Sequence, residues 1–266
     1  MINPLKKLEI NRFVVRHPQV APAHRGLRIA QVTDIHFGPW IKTRHLDALV
    51  EFVNDDGPDV VALTGDYIGY NHRTMKPCAD SLGRLQGEVF AVLGNHDHWA
   101  STEFCEQCFS DAEIPLLSNE WVHVEVKGAR LQVVGVDDAV TKHADVDRAF
   151  EDASPDMFNL TLNHVPSIAW DCADAGGHLI LSGHTHGFQF NIPRLTNAIA
   201  ERMGTKLFAG PYRLNDAILY ISRGLGSASW PRRYRAHPEL TFFELQPGEH
   251  PELELISSEP QLLELR

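Results

Sequence analysis

Leu181-Ser182-Gly183-His184-Thr185-His186-Gly187 is the stretch on which the reading of this chain turns. It continues the apolar run Leu179 to Leu181, the pattern of a buried strand. Gly183 and Gly187 are expected to let the backbone turn sharply just past the strand end. Two histidines two positions apart on such a turn reach neighbouring points above a sheet. A His-x-His pair on its own is most often surface or core chemistry. It becomes a ligand set only if other strands deliver partners to the same place.

Three upstream segments do so. Gly26 to Val32 reads as a strand that ends in Thr33-Asp34-Ile35-His36. Asp59 to Leu63 ends in Thr64-Gly65-Asp66, and Val89 to Leu93 ends in Gly94-Asn95-His96-Asp97. Between them, Leu46, Leu49, Val50 and Val53 fall at the i, i+3, i+4, i+7 spacing of a helix starting near Thr43 and stopped by Gly57-Pro58. A second helix is expected from about Lys76 to Gln86. Successive β-α units thus place metal-competent side chains just beyond the carboxyl ends of strands, where open α/β sheets bind ligands.

Further along, Trp121 to Val126 and Leu131 to Val136 flank Lys127-Gly128 as a β-hairpin. Ala144 to Ala153 reads as a helix. Phe158 to Leu162 is a strand ending in Asn163-His164-Val165-Pro166, with a helix from about Ser167 to Ala175. Ile10 to Val15 is expected as an edge strand, and Ile218 to Ser222 and Leu240 to Leu245 as strands of a second sheet. With no internal repeat and no Gly/Ser linker, the expectation is a single domain over residues 1–256. Residues 257–266 are expected to form a loosely ordered tail.

Composition narrows the function. A chain of 266 residues, 43% hydrophobic, buries a large α/β core. The 35 acidic against 24 basic residues give a net charge of -11, which argues against nucleic acid as a partner. No apolar run is long enough for a spanning helix, and residues 1–9 lack the apolar stretch of a signal peptide. The expected location is therefore cytoplasmic, at most peripheral to a membrane. Cys105 and Cys108 form a C-x-x-C within Ser101 to Ala112, itself read as a helix; with no second pair, they and Cys78 and Cys172 are assigned to packing.

The collected polar set is Asp34, His36, Asp66, Asn95, His96, Asp97, His164, His184 and His186. Singly, Asp34 reads as well as a turn residue, Asn95 as a cap and His164 as a core histidine. Together, carboxylate, imidazole and amide donors without thiolate suit Mn²⁺, Fe²⁺ or Zn²⁺. The set is too large for one tetrahedral site and sufficient for two sites sharing a carboxylate. Two such cations clamp the oxygens of an in-line displacement and lower the pKa of bound water.

Asp34-x-His36, Gly65-Asp66, Gly94-Asn95-His96-Asp97, His164 and Gly183-His184-x-His186 resemble the signature of the calcineurin-like metallophosphoesterases, over roughly residues 25 to 190. Gly135-Val136-Asp137-Asp138, Gly187-Phe188-Gln189 and Tyr220 to Gly226 look most like the YkuE-type branch, which includes LpxG-like UDP-diacylglucosamine pyrophosphatases. The resemblance implies an αββα four-layer sandwich with two mixed β-sheets. It implies that Asp34, His36 and His186 hold one divalent metal, that Asp66 bridges, and that Asn95, His164 and His184 hold a second, Mn²⁺ first and Fe or Zn²⁺ as alternatives. His96 would act at the leaving group with Asp97 orienting its ring, while a metal-bridging hydroxide attacks phosphorus.

The activity so implied is hydrolysis of a phosphodiester or pyrophosphate bond, in a small-molecule substrate that is lipid-linked or a nucleotide diphosphate. A phosphomonoesterase or protein phosphatase on the same metals is the alternative, and a catalytically silent binding scaffold a third. Phe188 departs from the branch, which commonly carries glycine there, and a phenyl ring would narrow the site. Trp99, the segment Ile192 to Leu214 and the run Trp230-Pro231-Arg232-Arg233-Tyr234-Arg235 are expected at the rim. The segment is read as touching an acyl chain or a membrane surface, the arginine run as holding phosphate. Asp137, Asp138, His98 and His143 receive no role.

Overall fold

Val60-Val61-Ala62-Leu63 is apolar at every position because the strand it forms is covered on both faces. Val60 and Ala62 point into one hydrophobic cluster, Val61 and Leu63 into another, the period of two that a pleated strand imposes. In the computed structural model, which describes residues 5–192, 196, 207–227, 230 and 232–261, this pattern recurs across two six-stranded sheets.

The first sheet has the order β12 (Glu252–Gln261), β1 (Leu8–His17), β11 (Glu239–Pro247), β2 (Leu27–Val32), β3 (Val60–Thr64) and β4 (Glu88–Val92). The second has the order β5 (Glu120–Val126), β6 (Ala129–Val136), β7 (Asn159–Asn163), β8 (Leu179–Ser182), β10 (Ala217–Ile221) and β9 (Gly210–Leu214). Both are mixed: β2, β3 and β4 run parallel while β11 is antiparallel to β2, and β6, β7, β8 and β10 run parallel between antiparallel edges.

Three apolar clusters define four layers. Ile29, Val60, Phe90, Leu131, Leu160, Leu179 and Phe243 fill the space between the sheets. Helices α1 (Thr43–Asp56), α2 (Met75–Leu82) and α3 (Asn95–Asp111) cover the outer face of the first sheet through Leu46, Leu49, Val53, Leu82, Cys105 and Phe109. The short helices α4 (Val146–Ala149) and α5 (Ala169–Asp174) cover the second sheet through Ala149, Ala169 and Cys172. The αββα sandwich with two mixed sheets is thus the observed fold. All four cysteines are buried and unbridged, in keeping with a packing role.

Several elements differ from expectation. β1 is not an edge strand: β11 pairs with it in parallel on one side and β12 antiparallel on the other. β11 lies in the first sheet, where Leu240 and Phe242 face the helices and Phe243 and Leu245 face the second sheet. Residues 257–261, expected as tail, are strand, because their backbone groups pair with β1 from Leu8 to Arg12. Pro260 is tolerated there since an edge strand has no second ladder to donate to; residues 262–266 lie outside the described residues. α3 starts at Asn95, where the Asp97 carboxylate accepts the Gly94 N–H at 2.9 Å and caps the first turn, and it is broken at Ser101 (φ 174°), so the helix expected from Ser101 is its second part. Lys127 and Gly128, at φ 52° and 78°, make the two-residue hairpin turn between β5 and β6.

A buried Leu side chain between the sheets contributes about 1.5–3 kcal/mol of burial. Leu160→Ala, at a position with no solvent exposure, is expected to cost about 2–5 kcal/mol in denaturant unfolding. Leu255→Ala, on the exposed face of β12, is expected to stay within about 0.5 kcal/mol, so equal losses would contradict the layer assignment.

Candidate metal centre

The carboxyl ends of β2, β3, β7 and β8, together with the start of α3, deliver the sequence-selected side chains to one end of the sandwich. Five of them sit on left-handed backbone: Asp34, His36, Asp66, His184 and His186, with φ of 50°, 47°, 56°, 70° and 51°. Each such residue costs about 1–3 kcal/mol and persists only where its surroundings over-determine it. Two motif glycines serve space rather than turning. A Cβ on Gly183 would collide with the Asp34 carboxylate and the Thr33 hydroxyl, and one on Gly94 with the Asp66 carboxylate.

Asp66 is the hub. Its Oδ2 lies 3.5 Å from His36 Nε2 and 3.3 Å from His164 Nε2, while Oδ1 accepts the backbone N–H of His96 at 2.9 Å. Asp34 Oδ1 lies 3.3 Å from His186 Nε2 and 3.9 Å from His36 Nε2. Asp34 Oδ2 accepts from the Thr33 hydroxyl at 2.9 Å and from the His184 N–H at 3.0 Å. Potential ligand atoms of Asp34, His36 and His186 converge within 4.8 Å of one another, as do those of Asp66, His164 and His184 and those of His36, Asp66 and His96.

The donor set fits divalent cations on a direct observation. His164 Nδ1 donates to the Thr64 carbonyl at 2.8 Å, which leaves the lone pair on Nε2, beside Asp66. That Nε2, Asn95 Oδ1 and His184 Nδ1 are buried and have no hydrogen-bond partner in the protein. An unsatisfied buried polar atom costs about 1–3 kcal/mol, a cost that ligation of a cation by these atoms would remove.

Charge points the same way. Burial pushes the Asp34 carboxyl up to about 6. Burial also opposes ionisation of Asp66, but His164, then His36 and His96, hold it well below the usual carboxylate range. Burial alone would lower His164, yet Asp66 carries it up to about 10. Burial takes His36 and His184 down to about 4. The raised His164 ring and the buried Asp66 carboxylate thus favour each other's charged forms.

His96 is 8% exposed, and its ring lies 4.9 Å from that of His36 and 5.0 Å from each of Tyr70 and Trp99. Its Nδ1 faces the Gly69 carbonyl at 3.1 Å, and this backbone oxygen, not Asp97, orients the ring. Asp97 is fully buried and spent on backbone: Oδ2 accepts from Asp66 and Gly94, Oδ1 from Tyr67 and Ile68. Its expected ring-orienting role is therefore replaced by a loop-holding one, because three of the four N–H groups it accepts belong to the loop that carries Asp66 and the fourth to Gly94.

The arginine run is divided. Arg233 donates to the carbonyls of Arg223, Ala236 and Gly226 and lies 3.0 Å from His186 Nδ1, so its guanidinium is consumed in the wall rather than offered to phosphate. Arg232 and Arg235 are exposed. Phe188 packs its ring 5.4 Å from Phe208. Of the segment expected to touch lipid, residues 193–195 and 197–206 lie outside the described residues. His98, given no role, bonds Asp137 at 2.7 Å and ties α3 to the end of β6. Gly69 and Tyr70 escaped the sequence reading, since a backbone carbonyl and an exposed tyrosine carry no motif.

Residues 27–188 match the family model described as calcineurin-like phosphoesterase. The Bacillus subtilis metallophosphoesterase YkuE is 26% identical over 246 residues, covering 90% of this chain and 86% of that protein. The Escherichia coli phosphodiesterase YaeI is 26% identical, with 82% of each chain covered. A bovine transmembrane protein with a metallophosphoesterase domain is 29% identical across 92% of this chain, which spans 59% of it. Among solved structures, the Haemophilus influenzae NAD nucleotidase superposes with a TM-score of 0.57 at 14% identity, over 89% of this chain and 50% of that one, a likeness of fold.

Ligation requires His164 Nε2 and Asp34 to be deprotonated, so binding releases protons and tightens as pH rises. Mn²⁺ affinity, measured calorimetrically, is expected to rise by about tenfold or more per pH unit below about 6 and to keep rising above it. An affinity independent of pH between 5 and 8 would exclude these two groups as ligands.

Proposed function

The chain belongs to the calcineurin-like phosphoesterase family of metal-dependent phosphoester hydrolases, and from that premise we propose that it cleaves a phosphodiester or pyrophosphate bond over two divalent cations. Asp34, His36 and His186 would hold one cation, Asn95, His164 and His184 the other, and Asp66 would bridge. The observation that carries this reading is the convergence of ligand atoms of Asp34, His36 and His186, and of Asp66, His164 and His184, each group within 4.8 Å, beside the buried and unpartnered Asn95 Oδ1 and His184 Nδ1. The bound pair would supply a hydroxide nucleophile near neutral pH and stabilise charge on phosphorus oxygens, with Mn²⁺ first and Fe or Zn²⁺ as alternatives, all three being compatible with the donor set.

The chain's own residues do the rest. Gly69 accepts the Nδ1–H of His96, so that the doubly protonated ring would present its Nε2–H to the departing oxygen and be left as the neutral Nδ1–H imidazole. Tyr70 and Trp99 shield that ring from solvent. Asp97 fixes the Asp66 loop, and the His96 N–H fixes the carboxylate itself. Intact donors and an intact His96 favour an enzyme over a silent scaffold. The name of the E. coli relative favours a diester over a monoester.

The substrate class we favour is a small phosphoester that is lipid-linked or a nucleotide diphosphate, met at a membrane surface. Tyr70, Trp99, Phe190, Ile192, Trp230 and Tyr234 are each about half exposed or more; Trp99 lies in the start of α3 and the others on loops that carry or flank the metal-centre residues. Tryptophan and tyrosine are the side chains enriched where protein meets the lipid-water boundary. The membrane-embedded bovine relative agrees with that setting. Among the described residues no helix is long and apolar enough to cross a membrane, so contact would be through these loops.

Asp66→Asn is expected to abolish metal binding by elemental analysis together with Mn²⁺-dependent hydrolysis of bis(p-nitrophenyl) phosphate. His96→Ala is expected to retain metal and lose about 10²–10⁴-fold in kcat. Full turnover by Asp66→Asn would end the assignment, and a preference for p-nitrophenyl phosphate over the diester would favour the monoesterase.

A further inference from the structure

A cleft of about 890 Å³ opens beside the metal centre, within the range of small-molecule sites. Its inner wall is made by residues that already belong to the centre. His36 is a candidate ligand, and Gly69 supplies the carbonyl that holds His96. A phosphoryl group seated among Asp34, Asp66 and the histidines therefore has one substituent directed into this space. Phe37, Pro39, Trp40 and Tyr70 give the cleft apolar walls, and Tyr70 is 73% exposed in the absence of anything covering it.

Among the polar side chains at the mouth, Asn71 Oδ1 accepts the Arg73 N–H at 3.2 Å, Thr74 Oγ1 donates to the Asn71 carbonyl at 2.7 Å, and Ser227 Oγ donates to the Trp230 carbonyl at 2.7 Å, while Thr43 and Arg44 also line the cleft. A nucleobase needs donors and acceptors along its edges, and these three residues commit part of theirs to their own turns. A hydrocarbon needs only apolar area. Lys42, exposed at the start of α1, lines the same cleft, where it matches a negative charge in a chain whose net charge is -11.

We infer that this cleft is the subsite for one ester arm of the substrate, a hydrocarbon arm lying against Phe37, Trp40 and Tyr70 with any distal anionic group beside Lys42. The inference rests on the reading that the neighbouring centre binds phosphoryl groups.

Calorimetric titration of the Mn²⁺-loaded protein with methyl phosphate, octyl phosphate and adenosine monophosphate, each below any micelle-forming concentration, tests it without turnover. Octyl phosphate is expected to bind at least about tenfold tighter than methyl phosphate, since burying a chain of methylenes is favourable. Trp40→Ser should bring that ratio towards one while leaving methyl phosphate affinity unchanged. Tyr70→Ser, at an exposed position where folding is not at stake, should reduce the same ratio. Equal affinity for the two phosphates in the unmodified chain, or an unchanged ratio in both variants, overturns the inference. Tighter binding of adenosine monophosphate than of octyl phosphate also overturns it and gives the cleft to a base. If octyl phosphate binds in the cleft while bis(p-nitrophenyl) phosphate is not hydrolysed, the subsite stands and the proposed reaction falls. If no phosphate binds, both fall.

Discussion

Two buried carboxylates link the two halves of the sandwich, Asp34 to the loop after β8 and Asp66 to the end of β7. Asp66 follows β3 in the first sheet, His164 follows β7 in the second, and Asp66 Oδ2 lies 3.3 Å from His164 Nε2. Neither sheet alone holds the set of donors. The packing of Val60, Ala62, Leu160 and Leu162 into one cluster brings the two strand ends level, and the polar constellation follows from that apolar contact. The hydrophobic core thus sets the distances on which the metal chemistry depends.

The loops that carry the donors are held in conformations that few residues accept. Asp97 takes up the backbone N–H groups of Asp66, Tyr67, Ile68 and Gly94, so the first turn of α3 and the β3 loop move as one piece. On the opposite side, Arg223 bonds Glu9 and Glu239, and Arg233 bonds the carbonyls around Gly226, bracing the loop that presses on Asp34 and Ile35. These contacts offset the left-handed backbone at Asp34, His36, Asp66, His184 and His186. Rigid support of this kind leaves little geometric freedom to the donors, the condition under which a cation rather than a rearrangement satisfies their lone pairs.

Around this rigid centre the rim is apolar and aromatic. His96 lies between Tyr70 and Trp99, and the cleft past His36 is walled by Phe37 and Trp40. The guanidinium of Arg233 is turned into the protein, whereas Arg232 and Arg235 stay exposed.

The metal-competent residues were legible in the chain because chemistry of this type needs particular side chains just beyond strand ends, and strand ends are marked by apolar runs and glycine. Asp34, His36, Asp66, Asn95, His164, His184 and His186 could be chosen on that ground alone, and the two-sheet sandwich followed from the family pattern. Tertiary structure alone decided what depends on partners distant in sequence. It put β11 in the first sheet, where it pairs with β1 on one side and β2 on the other, strands far from it in sequence. It gave 257–261 to β12, because pairing with β1 is a relation between the two ends of the chain. It turned Asp97 from the His96 ring to the Asp66 loop, and Arg233 from the substrate to the wall, because the direction of a side chain is set by the backbone groups that surround it. Residue type fixes which bonds a group is able to make; packing fixes which of them it does make.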